Sequence, residues 1–286
     1  MLNALIVVWR ESLEAMLVIG ILLAWISRQP EPVPLRRGVW LGVLAGLGLA
    51  VALGFATFAT FAAQSQLQGE ALEAFQVGMV LFAAALIVQM VIWMRRHGRR
   101  MKQQLEEQAG KASGAIGIGV VTALAVAREG AETVVFLYGL GLEAGGTALL
   151  GLAGAAAAGF ALAAASGWII ARGARFLSYR VLFRTSEILL LFIAASLLAA
   201  GIDRMIGMDW LLPLLDPVWD VSALLDDRQG AGRIMADFLG YRARPSGTLL
   251  IAYAAFWALA LGGLACLGRD SGGRASGGNA PAGGKN

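Results

Sequence analysis

Seven runs of apolar residues, each about as long as a membrane-spanning helix, limit this chain more than any other feature. At a rise of 1.5 Å per residue, about 20 helical residues cross the roughly 30 Å of hydrocarbon in a bilayer. The runs are continuous rather than alternating, which favours helices over a membrane β-barrel. We therefore predict an all-α integral membrane protein with seven transmembrane helices, at 3–26, 38–62, 71–94, 115–142, 147–171, 182–203 and 248–267.

The distribution of lysine and arginine between the spans predicts the orientation. Sixteen of these residues lie in 27–37, 95–111, 172–184 and 269–286, whereas five lie in 204–247 and none in 1–2, 63–70 or 143–146. Because basic residues are enriched in cytoplasmic segments, we expect a periplasmic N-terminus and a cytoplasmic C-terminus. This topological role of the basic residues excludes nucleic acid as a partner and leaves the lipid bilayer.

One transmembrane domain is expected to cover residues 1–267, and composition divides the rest of the chain. The segment 204–247 mixes tryptophans and aspartates with apolar residues, which predicts a periplasmic loop with short interfacial helices. The tail 268–286 is rich in Gly, Ser and Ala, which predicts a disordered cytoplasmic end.

Two apolar spans carry the same charged motif near their middle. Residues 10–14 read RESLE in the first span, and residues 128–132 read REGAE in the fourth. A weaker similarity joins LFAAAL at 81–86 to LFIAAS at 191–196, in the third and sixth spans. Spans 1–3 and 4–6 are therefore predicted to form an inverted-topology repeat, because halves of three spans enter the membrane in opposite directions.

The charges of these motifs predict a cation site. Six charged side chains in mid-membrane would cost roughly 15–20 kcal/mol in lipid, so they must face one another, water or an ion. Four carboxylates and two guanidiniums sum to −2, which one divalent cation would cancel. We predict that spans 1 and 4 face each other and hold a cation through Glu11, Glu14, Glu129 and Glu132.

The two arginines are predicted to support this site. Arg10 with Glu14 and Arg128 with Glu132 are i, i+4 pairs on their helices, which would leave Glu11 and Glu129 less neutralised. A purely structural alternative is that each motif only joins helices through these ion pairs.

The donor types narrow the choice of ion. The single histidine, His97, lies in a connecting segment, and the single cysteine, Cys266, lies at the end of the last span. A midplane site would therefore offer oxygen ligands alone, which suits Mg²⁺, Ca²⁺, Mn²⁺ or iron and argues against Cu(I) and a His/Cys zinc site.

Other residues in or near the spans have two readings. Glu187 lies three residues after Arg184, so it forms a local salt bridge or relays an ion towards the exit. Glu73 and Glu143 lie near the periplasmic ends of their spans, and Asp220 lies in the periplasmic loop. These acidic residues would attract cations to the entrance or are simply solvated. Met16, Met79 and Met90 are expected to pack, with soft-metal ligation as the alternative.

The doubled Arg-Glu-x-x-Glu motif, in the first and fourth of seven spans, resembles that of the oxidase-dependent iron transporter family. This family includes fungal high-affinity iron permeases and the permease subunit of bacterial Efe-type iron uptake systems. The stretch 219–246 is also similar to the loop before the last helix in bacterial members. Ser12 and Ala131 differ from the usual Arg-Glu-Gly-Leu-Glu pattern, but only at its uncharged positions.

The resemblance implies an iron permease of the bacterial inner membrane, which is not an enzyme. Iron would be the transported substrate, without a fixed cofactor, and periplasmic iron-binding or oxidase/peroxidase-type proteins would be partners. The residues themselves leave three alternatives open: a permease for another cation such as manganese or a polyamine, a membrane iron or haem oxidoreductase, and a structural or sensory subunit.

Overall fold

The computed structural model describes residues 2–64, 69–97, 101–112, 114–144, 149–171 and 179–273. All regular structure within these ranges is helical. The helices are α1 (Leu2–Ile26), α2 (Pro32–Gln64), α3 (Glu70–His97), α4 (Met101–Lys111), α5 (Gly114–Ala144), α6 (Leu149–Ala171), α7 (Tyr179–Gly207), α8 (Gly230–Leu239) and α9 (Gly247–Gly273). Each predicted span coincides with one of these helices, and α4 and α8 are additional.

Several of these helices are suited to cross a membrane. Judged by length and composition alone, four qualify among the described residues: Pro32–Thr57, Glu70–Arg96, Leu150–Ile170 and Arg184–Gly207. The two helices that carry the charged motifs, α1 and α5, are not among them. The prediction of an all-α, multi-pass membrane protein is confirmed at this level.

Glycines allow α2 to pack directly on α5. A Cβ atom at Gly38, Gly42 or Gly46 of α2 would collide with a backbone carbonyl oxygen of α5, so only glycine permits this close approach. The contacts pair Gly38 with Ala115, Gly42 with Gly119 and Gly46 with Ala123. Because both residue numbers increase together, α2 and α5 run parallel.

Helix α6 packs on α1 in the same manner. Gly159 lies against the carbonyl oxygen of Leu5, and the indole of Trp9 donates a hydrogen bond of 3.2 Å to Ser166 Oγ. Ala163, between them, is fully buried. The α1–α6 and α2–α5 pairs thus both depend on small residues that let two backbones come close together.

The helices that carry the motifs, α1 and α5, pack antiparallel. One buried cluster joins Ala4 and Val7 of α1 to Phe136 and Leu140 of α5. A second joins the C-terminal part of α1 to the N-terminal part of α5, through Leu22, Ile26, Ile118 and Val126. The charged motifs therefore lie between two apolar clusters at matching levels of both helices.

Two short helices lie near the ends of α1. The amphipathic α4 buries Leu105 and Ala109 in the cluster around Ile26, although the sequence predicted only a connecting segment there. Near the other end, Asn3 is buried and donates a 2.6 Å hydrogen bond to the carbonyl oxygen of Asp237 in α8. Helix α8 agrees with the short helices predicted within 204–247, and it ends at Gly240, which has a φ of 70°.

The end of the chain is partly outside the described residues. Helix α9 continues to Gly273, into the segment 268–286 for which disorder was predicted. Residues 274–286 of that segment are not described.

Candidate metal site

The charged side chains of the first motif are buried within the fold. Arg10 and Glu11 are each 1% exposed, and Glu14 is 6% exposed. Arg10 Nη1 lies 2.8 Å from Glu11 Oε1, and Nη2 forms an ion pair with Glu14 Oε1. One guanidinium therefore pairs with both carboxylates and offsets only one of their two negative charges. The predicted Arg10–Glu14 pair forms, and Arg10 also pairs with Glu11 through Oε1, a contact that the i, i+4 spacing did not indicate.

Three carboxylates from two antiparallel helices meet in the interior. Glu11 and Glu14 of α1 and Glu129 of α5 each offer one carboxylate oxygen, and these oxygens lie within 4.8 Å of one another. Glu11 Oε2 and Glu129 Oε2 are buried and receive no hydrogen bond from the described part of the chain. A buried, unpartnered carboxylate oxygen is unfavourable unless a cation or a donor reaches it. The donor set contains only oxygen and suits a hard cation.

The second motif is more open than the first. The Arg128 side chain is 46% exposed, and its Nε lies 3.0 Å from Glu132 Oε1 and 4.0 Å from Glu129 Oε1. Glu132 is thus held by Arg128 in the predicted i, i+4 pair and stands outside the three-carboxylate group. The structure brings together Glu11, Glu14 and Glu129 of the four predicted ligands and leaves Glu132 beside them on α5.

Helix α3 contributes contacts that the sequence reasoning missed. Arg10 Nη1 lies 2.8 Å from Met90 Sδ, and Nη2 lies 2.9 Å from Met94 Sδ. The Arg128 guanidinium carbon lies 4.2 Å from the centre of the Trp93 ring. Met90 had been expected to pack or, alternatively, to bind a soft metal, and contact with an arginine was not foreseen. The available signal was the 90, 93, 94 spacing, which places these three side chains on one helical face.

The candidate exit residue has a different partner from the predicted one. Glu187 of α7 forms an ion pair with Arg95 of α3, where the local spacing had predicted Arg184. The two residues come together because α3 and α7 pack antiparallel, with Gly201 against Leu81 and Arg95 against Glu187. An inter-helix contact of this kind has no local sequence signal.

The three candidate entrance residues lie outside the carboxylate group. Glu73 is exposed in the first turn of α3. Glu143 belongs to α5, but its side chain is outside the described residues. Asp220 accepts hydrogen bonds from the hydroxyl and backbone amide of Ser222 and pairs with Arg244 Nε at 3.0 Å. The bonds from Ser222, together with Arg244, lower the pKa of Asp220 to about 2.

Comparison with known sequences identifies the family. A sequence model of the iron permease FTR1 family matches residues 1–267. The chain belongs to this family. The resemblance inferred from the doubled motif is thereby confirmed, and membership makes the chain part of a family of membrane permeases associated with iron transport.

Relatives of this iron permease family member cover most of its length. The ferrous iron permease EfeU of Escherichia coli O6:H1 is 29% identical over 255 residues, which span 84% of this chain and 87% of that protein. EfeU of Yersinia pestis is 27% identical over 259 residues, spanning 84% and 85%. An uncharacterized protein of Archaeoglobus fulgidus is 29% identical over 271 residues, spanning 92% and 94%. No solved structure matches the chain.

Proposed function

We propose that this chain imports iron across the bacterial inner membrane through the carboxylate group between α1 and α5. The observation that carries the proposal is the convergence of Glu11, Glu14 and Glu129, with two buried oxygens that lack a partner. Three carboxylates around one point repel one another, and a cation between them would turn this repulsion into attraction. Arg10 and Arg128 hold the carboxylates and limit the negative charge of the vacant site.

Glu132 is proposed as the fourth ligand along the same path. It follows Glu129 by three residues, a rise of about 4.5 Å along α5. Its oxygen accepts a hydrogen bond from Arg128 Nε, and the Arg128 guanidinium also packs on the ring of Trp93. A movement of Arg128 that breaks this bond would free the Glu132 carboxylate for an ion that leaves the buried group.

An inverted repeat is supported by the helix contacts. Exchanging α1 with α5, α2 with α6 and α3 with α7 converts the α2–α5 contact into the α6–α1 contact. The same exchange leaves the α1–α5 and α3–α7 contacts unchanged. This is the pattern expected of a pseudo-two-fold axis through the site, so rocking of one half against the other would expose the carboxylates to each side in turn.

The orientation proposed for this transport follows the basic residues. A periplasmic N-terminus puts 204–247, with Asp220, on the side from which iron arrives. Glu73 and Glu143 would lie on that side as well. The Arg95–Glu187 pair would lie towards the cytoplasm, where Glu187 serves as the exit relay. Periplasmic iron-binding or oxidase/peroxidase-type proteins would deliver the iron.

Uptake of radioactive iron into proteoliposomes tests the proposal. The doubly substituted protein Glu11→Gln plus Glu129→Gln should lose transport, because both unpartnered oxygens become part of neutral amides. Glu107→Gln is the matched control, since it makes the same chemical change at an exposed position of α4 and should retain uptake. Uptake by the double variant at the wild-type rate would refute the site.

Manganese is the second candidate substrate, because the oxygen-only donor set suits Mn²⁺ as well as iron. Competition discriminates the two. If the chain is an iron permease, an excess of Mn²⁺ should reduce iron uptake weakly, whereas an excess of unlabelled iron should abolish it. Stronger inhibition by Mn²⁺ than by iron would favour the manganese permease.

A further inference from the structure

One turn of α3 contacts the arginines of both motifs. Met90 Sδ and Met94 Sδ lie 2.8 and 2.9 Å from the two terminal nitrogens of Arg10. The Trp93 ring lies under the Arg128 guanidinium, with 4.2 Å between the guanidinium carbon and the ring centre. The two arginines come from different helices and different halves of the chain, yet they meet a single helical face.

The side chains in these contacts can attract a positively charged guanidinium without neutralising its charge. Thioether sulfur is a weak, polarizable hydrogen-bond acceptor without charge, and an indole ring attracts a guanidinium through its negative face. A carboxylate at any of these positions would add negative charge and compete for the cation. Met90, Trp93 and Met94 instead attract the arginines while leaving the charge of the carboxylate group unchanged.

The contacts also set the position of each arginine relative to its carboxylates. Arg10 Nη1 touches both Glu11 Oε1 and Met90 Sδ, so the guanidinium is held on the Oε1 side. Glu11 Oε2, on the other side, remains without a donor. Arg128 remains 4.0 Å from Glu129 while it packs on Trp93, and Glu129 Oε2 also stays free.

We propose that Met90, Trp93 and Met94 form an arginine clamp that holds Arg10 and Arg128 back from the cation-binding oxygens. The clamp is a set of positioning residues: it acts on the cation through the arginines. The next residue, Arg95, pairs with Glu187 and anchors this turn of α3 to α7. This inference rests on the proposed function, since it assigns a role within the same cation site.

The test at Arg10 replaces both thioethers by isosteric apolar side chains. In the variant Met90→Leu plus Met94→Leu, Arg10 is free to turn towards Glu11 Oε2 and compete with the cation. We expect the KM for iron uptake to rise by roughly fivefold while the maximal rate changes little, the signature of weakened cation binding. The control is Met79→Leu, the same change elsewhere on α3, which should leave KM unchanged. An unchanged KM in the double variant would overturn the clamp.

The test at Arg128 compares two substitutions of one residue. Trp93→Leu removes the aromatic face and should raise KM by roughly threefold, whereas Trp93→Phe keeps a cation–π contact and should restore most of the affinity. Equal effects of Leu and Phe would show that volume, not the aromatic face, matters at this position, and would contradict the proposal.

A double-mutant cycle separates positioning from direct metal ligation. If the methionines act through Arg10, the Met90/Met94 double substitution should have no further effect on cation affinity in an Arg10→Gln background. If the sulfurs bind the metal themselves, the loss should persist in that background, and the clamp would be wrong. The readout is calorimetric titration of the purified protein.

The proposed function and the clamp fail in different ways. A wild-type protein that takes up no iron, in the same assay, would refute the proposed function. The arginine clamp is then tested by calorimetric titration of the purified variants with Mn²⁺, which serves as a hard-cation probe. A weaker affinity in the Met90/Met94 variant than in the Met79→Leu control supports it, and equal affinities overturn it.

Discussion

The two copies of the motif have the same charged residues and different surroundings. Arg10 on α1 is buried and holds two carboxylates, whereas the Arg128 side chain on α5 is 46% exposed and bonds chiefly to Glu132. Helix α1 is packed against α5, α6, α7, α4, α8 and α2. The difference shows that a five-residue motif specifies its charges, and that the helices packed around it determine whether those charges are sealed or accessible.

This asymmetry suggests separate tasks for the two halves. The α1 copy is an enclosed part of the carboxylate group, in which removal of Arg10 leaves two buried carboxylates without their guanidinium partner. The α5 copy contributes Glu129 to that group and keeps Arg128 and Glu132 near the surface of the described fold. We expect substitution of the arginine to lower the free energy of unfolding more in the first motif than in the second. Substitutions in the second motif should affect iron transport more than stability.

The largest expected difference is in stability. Arg10→Ala leaves Glu11 and Glu14 buried without their guanidinium partner and should lower the free energy of unfolding by about 3–5 kcal/mol. Arg128→Ala removes a half-exposed guanidinium and should cost about 1 kcal/mol or less. Unfolding of both purified variants in detergent checks the difference. Equal destabilisation would remove the distinction between a sealed and an open motif.

The next difference concerns two glutamates on the same helix. Glu129→Gln should lower iron uptake by about a hundredfold or more, because it removes a ligand of the buried three-carboxylate group. Glu132→Gln should lower it by about tenfold or less, since this carboxylate pairs with Arg128 and meets the ion only after Arg128 moves. Initial uptake rates, normalised to the amount of protein reconstituted, give the comparison. A more damaging Glu132 substitution would place Glu132 at the centre of the site.

A third difference concerns the support of the second motif by α2. Gly42→Val should destabilise the protein by about 1–3 kcal/mol, because its new side chain meets the backbone of Gly119 and forces α5 away. Gly48→Val is the control on the same helix, since nothing lies within 4 Å of a Cβ atom at that position. Thermal unfolding in detergent measures both. If the two variants unfold at the same temperature, the close α2–α5 packing is not needed.

The smallest effect is expected in the loop. Asp220 is engaged by Ser222 and Arg244, so Asp220→Asn should change iron uptake by less than about twofold. Because the pKa of Asp220 falls from 3.8 to about 2, its ionised form stabilises the loop above pH 3.8, and this is lost as pH falls through about 2. The effect of the substitution should therefore be constant between pH 5 and 8. A variant effect that grows across this range would assign Asp220 a titrating role at the entrance.

The sequence predicted the helices well because their signal is local. Each of the seven apolar runs became a helix with similar bounds, and the i, i+4 pairs Arg10–Glu14 and Arg128–Glu132 both formed. Contacts between helices were harder to predict. The Arg95–Glu187 pair replaced a local pair with Arg184, because two antiparallel helices bring together residues that are distant along the chain.

What the sequence alone determined is the positions of the apolar helices and two charged motifs that lipid cannot accommodate. It also pointed to the iron permease family, through the repeated motif. Only the tertiary structure decided which carboxylates converge, which arginine is buried and which face of α3 contacts both guanidiniums. The physical reason is that hydropathy and helical periodicity act within one helix, whereas the position of a buried charge depends on the partners that several helices bring to it.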